Sequence, residues 1–558
     1  MLRPLDRRQL IARLALVGLG GTGLGALTAC QARHTHPQNA RPTSHARRYR
    51  NGAVAADHPL ASEVGVDVLR AGGNAIDAAI ATAITLTVVE PTSNGLGSDA
   101  FAMVWHEGTL HGINASGRSP KRLQPDELPD GRMPSLGWLT VTVPGAVSAW
   151  MRLSERFGDL PFDCLFDAAI DYARNGFPVS PLTASSWSRA SKRYADFQEW
   201  QRVFAPGGKT PGAGDVFRNP DQARTLEKIA QTAGKDFYEG ALAERIASVS
   251  QRDGGVLHLD DMTSHQPLDT DVMQVDFAGS QVHEMPPNGQ GIAALIGLGI
   301  LDQLDNADGD PDDPHVIHRQ IESMKIGLSD AFRIVTDPDK VPEDPNELLK
   351  TSRLQRHADS IGTNATNLTF PWPEWSSTVY LATADSKGNM VSFIQSNFEG
   401  FGSGVVVEGT GIAMQNRATG FNPDPDHPGG ISGSTRPFHT IIPGFVTRAD
   451  QAEMAFGVMG GPMQAQGHLQ LAYRCLAAGQ NPQEGLDAPR WRLLGGRRVV
   501  VEPGIPKSVI AQLVDRGHEV SVADVRSVRF GGGQAVQRHA DAWLGASDSR
   551  RDGQAAGF

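Results

Sequence analysis

The usual catalytic strings are missing from this 558-residue chain: there is no G-x-x-x-x-G-K-[ST], no G-x-G-x-x-G opening a helix after a strand, no H-E-x-x-H and no G-x-S-x-G. What remains that could do chemistry are hydroxyls and glycines. The stretch EWSSTVYLATADSKGNMVSFIQSNFEGFGSGVVVEGTG, from Glu374 to Gly411, reads as two strands around a turn, where threonine is an ordinary strand former. A threonine hydroxyl is a poor nucleophile until a base takes its proton. An N-terminal residue carries that base itself, an α-amine with a pKa of about 8. Branching at Cβ also restricts χ1 and holds the hydroxyl toward its target. Such a nucleophile attacks an amide carbonyl, forms an acyl-enzyme and passes the acyl group to water or to an amine. Two N–H donors must face the oxyanion. Gly95-Leu96-Gly97-Ser98, Gly400-Phe401-Gly402-Ser403-Gly404 and Gly460-Gly461 could each bring backbone N–H groups to such a place, although any one of them alone is equally a tight turn or bulge.

The elements that must position these groups are legible as periodicities. Two helical stretches flank Gly72-Gly73-Asn74; the first ends at the glycines, and the second is Ala-rich, apolar all round and hence buried. SDAFAMVWHEGTLHGINASGR alternates as a hairpin with Glu107-Gly108 as its turn. Helical patterns dominate from Ala146 to about Arg252, a strand fits 271–277, and a long amphipathic helix fits 314–334. The segment from Thr336 to about Pro373 is polar, Pro-rich and poorly patterned. Strands then follow one another from Trp375 to Gly460, helix returns at 464–478, and a polar tail from about Ala546 reads as disordered. Strand–helix alternation is lacking where the strands concentrate, so an α+β layered sandwich fits better than a doubly wound fold.

Composition is ordinary for a globular protein, with 62 Gly and 36 Pro implying many tight turns. A net charge of −11, the lack of a basic run beyond the N-terminus and the lack of zinc-type spacing argue against nucleic acid. Three cysteines are too few for a disulfide framework. Cys164 and Cys475 sit in apolar helical contexts and read as buried thiols, with a disulfide between them left open. The N-terminus stands apart. Arg3, Arg7, Arg8 and Arg13 precede an apolar, Gly-rich run from Leu14 to Ala29, too short to span a bilayer and built like a signal peptide. Leu27-Thr28-Ala29-Cys30 resembles a lipobox that would lipidate Cys30, and Arg7-Arg8 resembles a twin-arginine export signal. A conventional secretory signal with an incidental cysteine is the alternative. Residues 31–50 are polar, without apolar periodicity, and read as a tether. These features point to an exported protein of the periplasm or cell envelope, meeting the membrane only through a lipid anchor.

Four stretches resemble the large-subunit motifs of gamma-glutamyltransferases: GGNAIDAAIATAITLTVVEPTSNGLGSDAFAMVW (72–105), VTVPGAVSAWMRLSERFGDLPF (141–162), DFYEGALAERIASVSQRDGGVLHLDDM (236–262) and MPPNGQGIAALIGLGILD (285–302). GFGSGVVVEGTGI (400–412) and Gly460-Gly461 resemble the small subunit, and the likeness runs in order from about Gly52 to Leu486. The resemblance implies an N-terminal nucleophile hydrolase: a four-layer αββα sandwich made as one chain, cut before a threonine into a large subunit (51–377) and a small one (378–558). In the family the nucleophile lies seven residues before the Asp of a D-x-x-G-N turn. Here that turn is Asp385-Ser386-Lys387-Gly388-Asn389, which selects Thr378 and cleavage after Ser377; Ser377 itself is off by one. The resemblance further gives Gly460 and Gly461 as oxyanion donors, Ser396 as the hydroxyl bonded to the nucleophile, and Arg118 as a clamp for the substrate's α-carboxylate. It implies no metal and no organic cofactor, and as partners a small-molecule amide and the second self-cleaved subunit.

The chain departs from the family pattern around the substrate's α-ammonium. Where the family has an Asn, an amide or acid, and an Asp stand Phe398, Arg417 and Gly420. Asn397 is one strand step away and so turned to the other face. Two small pocket hydroxyls become Thr435 and Arg436. The resemblance, so altered, implies a γ-glutamyl or glutaryl-like amide as substrate, with the anionic acyl group of cephalosporin-acylase type fitting better and hydrolysis favoured over transfer. A non-catalytic envelope protein binding an anionic peptide or cell-wall fragment in the same cleft is the alternative.

Overall fold

The computed structural model describes residues 46–304, 309–369 and 377–558. The leader with Cys30, and most of the tether, lie outside the described residues. Two seven-stranded antiparallel sheets lie face to face. One runs in the order Gln554–Gly557, Gly52–Ala56, Ser377–Asp385, Met390–Phe398, Asp99–His106, Thr109–Asn114, Leu268–Thr270. The other runs Arg47–Tyr49, Ala542–Ser547, Gly532–His539, Gln451–Met459, Gly444–Arg448, Ser280–Glu284, Met273–Phe277.

Three apolar clusters define the layers. Between the sheets, Phe101, Met103, Tyr380, Ala382 and Ile394 of the first meet Phe445, Ala455 and Val536 of the second. On the outer face of the first sheet, Val379, Leu381, Val391 and Phe393 pack under the helices Pro59–Arg70 and Ala75–Val89. On the outer face of the second, Val446, Met454, Phe456 and Val458 pack under Gly291–Asp302, Pro314–Ile334 and Met463–Ala472. Strict side-chain alternation explains how one strand serves two cores. The α+β, four-layer αββα expectation matches this arrangement.

Several elements stand where periodicity puts them. Helix Pro314–Ile334 has the expected ends: Asp313 caps it by accepting from His315 N at 2.7 Å, with Pro314 in its first turn. Helix Ala75–Val89 starts at Asn74, whose side chain accepts from Ile76 and Asp77 N–H groups while Asp77 accepts from Asn74 N. The Asp385 turn does double duty. Its carboxylate accepts from Lys387 N at 2.8 Å and Asn389 N at 3.1 Å, and also from Ala75 N at 2.9 Å, so it shapes the hairpin and neutralises a helix N-terminus.

Other expectations need correction. The tail from about Ala546 is ordered: Gln554–Gly557 forms an edge strand on Gly52–Ala56, and Arg550 and Arg551 just before it are buried among carboxylates. A polar composition there reflects a satisfied ionic core rather than disorder. The tether ends before residue 50, since Arg47–Tyr49 pairs with Ala542–Ser547. The unpatterned segment after Thr336 contains a helix, Thr351–Ser360, with only Leu354 and Ala358 buried, too few to set a period. The reading of Cys164 and Cys475 as thiols holds, with Cys475 buried and Cys164 only partly so. Among the described residues no helix is long and apolar enough to cross a membrane.

Candidate active site

The two neighbouring hydroxyls, Ser377 and Thr378, open the strand Ser377–Asp385 and are separated by the pleat. Thr378 shares a face with Tyr380, Ala382 and Ala384, which lie between the sheets, whereas Ser377 shares one with Val379 and Leu381, which face the helices. Ser377 is tied up on that side, its hydroxyl donating to Thr92 O at 3.1 Å and accepting from Gly400 N at 2.7 Å. Thr378 is fully buried.

The pairing with Met390–Phe398 slips at this point. Ser377 is opposite Phe398 but Val379 is opposite Gln395, so Ser396 and Asn397 both fall across from Thr378. This bulge re-aims Ser396. Thr378 Oγ1 donates to Ser396 Oγ at 3.1 Å, and Ser396 Oγ donates to the carbonyl of Ser377 at 2.8 Å while accepting from Phe398 N at 2.8 Å. One hydroxyl thus contacts both the candidate nucleophile and the carbonyl of the bond to be cut. The bulge places Phe398 in the left-handed region at φ 75°, which costs of order 1–3 kcal/mol for a non-Gly residue. Asn397 points away, accepting from Ser98 Oγ at 2.8 Å.

Gly460 and Gly461 lie just beyond the strand Gln451–Met459 of the opposite sheet, before the helix Met463–Ala472, with φ 131° and 62°. Only glycine adopts the first without strain. Their carbonyls are used: Gly460 O accepts from Met463 N, and Gly461 O accepts from Gln464 N at 3.0 Å and from Gln290 Nε2 at 2.9 Å. Their N–H groups have no partner among the described residues. A pair of unspent donors at a helix N-terminus is what a developing oxyanion needs. A pocket of about 260 Å³ is lined by Ser377, Gly400 and Met459, so the Ser377–Thr378 bond and the strand end leading into the glycines meet one cavity.

Sequence reasoning missed the polar layer behind Thr378. Asp99 is directly opposite Ser396 in the next strand. Burial pushes its carboxyl up to about 7, against the pull of Arg417 and the Gly117 N–H. Its Oδ2 accepts from His439 Nε2 at 3.2 Å. Burial, then Arg417 and Arg436, hold His439 well below the usual imidazole range, hence neutral. Gln290 and Thr440 are also part of this layer, bonded through Gln290 Nε2 to Thr440 O at 2.6 Å. None carries a local sequence signal, because each is a polar residue from a different segment gathered only by the fold.

Four expected substrate contacts divide into two groups. Arg118 has a guanidinium held by Asp337 at 2.6 Å, by Asp339 at 2.9 Å and by Ser434 O at 2.9 Å, and its side chain is 36% exposed. It is engaged in ion pairs rather than offered to a ligand. Thr435 donates its hydroxyl to Gly433 O, and Arg436 donates Nε to Ser116 O at 2.9 Å and its backbone N–H to Asp337. Arg417 belongs elsewhere. It is fully buried, its guanidinium 4.2 Å from the Phe398 ring centroid, with Nη1 donating to Thr440 Oγ1 at 3.2 Å. Burial lowers it to about 9, with Asp99 and Glu399 opposing. At Gly420 an added Cβ would stand 2.4 Å from Phe438 O, so the backbone leaves no room for an Asp.

Outside this site, His318, Glu322 and His518 bring ligand-type atoms together, all buried. Most of their polar atoms are engaged locally: His318 Nδ1 and His518 Nε2 are 2.8 Å apart, and Glu322 accepts from Lys325 Nζ at 2.7 Å and Thr366 N at 3.1 Å. An ammonium already sits against the carboxylate a cation would need, so the cluster reads as a tie between the helix Pro314–Ile334 and the loops beside it.

Residues 61–558 match the sequence profile of the Gamma-glutamyltranspeptidase family. A glutathione hydrolase-like proenzyme of Bacillus subtilis is 33% identical over 520 residues, 90% of this chain and 98% of that one. An oxamate amidohydrolase proenzyme of Klebsiella pneumoniae is 34% identical over 528 residues, 91% and 98%. Among solved structures, a cephalosporin acylase from Bacillus halodurans superposes with a TM-score of 0.90 at 43% identity, covering 95% of this chain and 99% of that one. The αββα sandwich is therefore of the N-terminal nucleophile hydrolase type, and the chain belongs to the gamma-glutamyltranspeptidase family of amide-cleaving enzymes.

Proposed function

We propose that the chain cuts itself between Ser377 and Thr378 and then, with Thr378 as N-terminal nucleophile, hydrolyses amides of small anionic acyl groups. The observation carrying this reading is the shared hydroxyl of Ser396, bonded at once to Thr378 Oγ1 and to the carbonyl of Ser377. In maturation, Thr378 Oγ1 attacks the Ser377 carbonyl carbon, polarised by the Ser396 hydroxyl. The C–N bond breaks, the proton passes to the departing nitrogen, and water hydrolyses the resulting ester. This frees the Ser377 carboxylate and the Thr378 α-amine. In turnover that amine takes the Thr378 hydroxyl proton as the oxygen attacks the substrate carbonyl. The N–H groups of Gly460 and Gly461 receive the oxyanion, the amine leaves with the proton, and water releases the acid.

Support for processing comes from the relatives, which are named as proenzymes. Support for an anionic acyl group without an ammonium comes from Phe398, Arg417 and Gly420 at the family's ammonium contacts, and from the oxamate amidohydrolase and cephalosporin acylase among the similar proteins. Export and a lipid on Cys30 are part of the same proposal and rest on the leader sequence alone. The test is competition between glutaryl-p-nitroanilide and γ-glutamyl-p-nitroanilide. The glutaryl amide is expected to be cleaved with the higher kcat/KM; a strong preference for γ-glutamyl would refute the substrate reading.

A further inference from the structure

Among the described residues around the candidate site, two buried arginines, Arg436 and Arg417, keep buried donors without a partner, and they differ in what is spare. Arg436 leaves only Nη1 unpartnered, and its other donors are fixed to Ser116 O and Gln266 O. Arg417 leaves Nε and Nη2 unpartnered in a site with no solvent exposure. Those two nitrogens share one edge of the guanidinium plane, the edge that receives a carboxylate through two parallel hydrogen bonds. A buried cation with an empty bidentate edge is costly unless a ligand fills it.

The surroundings hold that edge in place. The Phe398 ring covers one face, and Nη1 is pinned by Thr440 Oγ1. Asp99 and Glu399 act on Arg417 through space, tempering its charge without occupying the edge. Two short chains of contacts connect it to the reacting atoms. One runs through Phe398, whose N–H donates to the Ser396 hydroxyl bonded to Thr378. The other runs through Thr440, whose carbonyl accepts from Gln290 Nε2, the same atom that donates to Gly461 O at 2.9 Å. Arg417 is thus one residue removed from the nucleophile's partner, through Phe398, and two removed from a candidate oxyanion glycine, through Thr440 and Gln290.

From this geometry we propose that the Nε–Nη2 edge of Arg417, and not Arg118, is the receptor for the distal carboxylate of the acyl group, making the substrates half-amides of short dicarboxylic acids. The inference rests on the Thr378 reading and specifies its substrate. The contacts through Phe398 and Thr440 set Arg417 close to the reaction centre, which favours a short acyl chain. An α-ammonium on that chain would be set against the guanidinium, so a γ-glutamyl group is disfavoured by the same residue that favours a glutaryl or shorter one. Arg118 is less well placed to serve, because Asp337 and Asp339 already pair with its two terminal nitrogens.

The experiment measures kcat/KM for glutaryl-p-nitroanilide and for its neutral isostere with a terminal carboxamide. The ratio is compared in the wild type, Arg417→Gln, Arg417→Lys and Arg118→Gln. Losing one partner of a buried charge pair is expected to change the ratio by ~10²-fold or more. The wild type should favour the anion by that factor, mainly through KM. Arg417→Gln should bring the ratio near unity, Arg417→Lys should lower it at least ~10-fold because an ammonium lacks the fork, and Arg118→Gln should retain it. A ratio unchanged in either Arg417 variant, or collapsed in Arg118→Gln, overturns the proposal. Mass spectrometry of the same samples separates this failure from failure of the Thr378 reading: a variant cut at Ser377–Thr378 and active on the neutral amide leaves that reading standing. Should a variant remain uncut, calorimetric binding of glutarate to the folded protein decides. Wild-type binding weakened at least ~10-fold in Arg417→Lys supports the receptor; equal binding overturns it.

Discussion

Two groups of buried arginines lie within one chain and are finished differently. Near the C-terminus, Arg550 donates to Glu502, Asp548, Leu486 O and Ala488 O, and Arg490 donates to Asp548, Phe530 O, Gly531 O and Leu486 O. Both side chains are at most 2% exposed, and neither has a fully buried nitrogen left without a partner. Across the sandwich, Arg417 is buried to the same degree and uses one nitrogen of three. The carboxylates follow suit. Asp548 feels burial pushing it up, but Arg550 and Arg490 outweigh it and hold it below its ordinary range, whereas Asp99 is carried up to about 7. A closed network is a structural device; an open one in the same protein marks where the missing partner is a ligand. The two are mechanically connected, since Arg490 fixes Gly531, whose Cα would lie 3.2 Å from a Cβ placed on Gly460.

The contrast can be broken most forcefully by removing one arginine from each group. Arg550→Met leaves Glu502 and Asp548 underpaired and should cost ~3–5 kcal/mol, whereas Arg417→Met removes an underpartnered cation and should change stability by under ~1 kcal/mol or raise it. Denaturant unfolding of both variants measures this. Next in size, Gly460→Ala places a Cβ against Gly531 at a φ only glycine tolerates, displacing a candidate oxyanion donor; kcat should fall ~10²-fold with KM little changed, while the protein stays folded. The smallest effect sharpens the comparison through pH. Asp99 is raised above its ordinary 3.8, so the stability it contributes is complete below about pH 4 and lost as pH rises through about 7. Asp548 has the opposite sign, contributing above its ordinary pKa and losing that as pH falls. Thermal unfolding from pH 4 to 8 should therefore show Asp99→Asn losing less stability than the wild type as pH rises, and a series taken below pH 4 should show Asp548→Asn losing less as pH falls.

Much of the fold was legible because its signals are local. Asn74 and Asp313 announce their helices by capping chemistry, Glu107-Gly108 and the Asp385 turn announce their hairpins, and apolar strands announce the sandwich. Thr378 and Ser396 are singled out by family likeness and by spacing to the Asp385 turn, and the structure sets their hydroxyls 3.1 Å apart. Their geometry was not legible, because it depends on a slip in pairing between two strands that pattern cannot register. The ordering of the C-terminal tail was illegible for a related reason: the arginines that make it look solvated are buried against Asp57, Glu90 and Glu502, far away in sequence or on other elements. Arg118 illustrates the same limit from the other side, since its type and neighbourhood suggest a clamp while Asp337 and Asp339, supplied by another segment, already hold it.

The central claim is that Thr378 is uncovered by self-cleavage, and intact mass under denaturing conditions tests it directly. The purified wild type should give two species, one ending at Ser377 and one beginning at Thr378 and ending at Phe558, and Thr378→Ala should remain whole. A single uncut wild-type chain under conditions that allow maturation, or a cut at any other bond, would contradict the account.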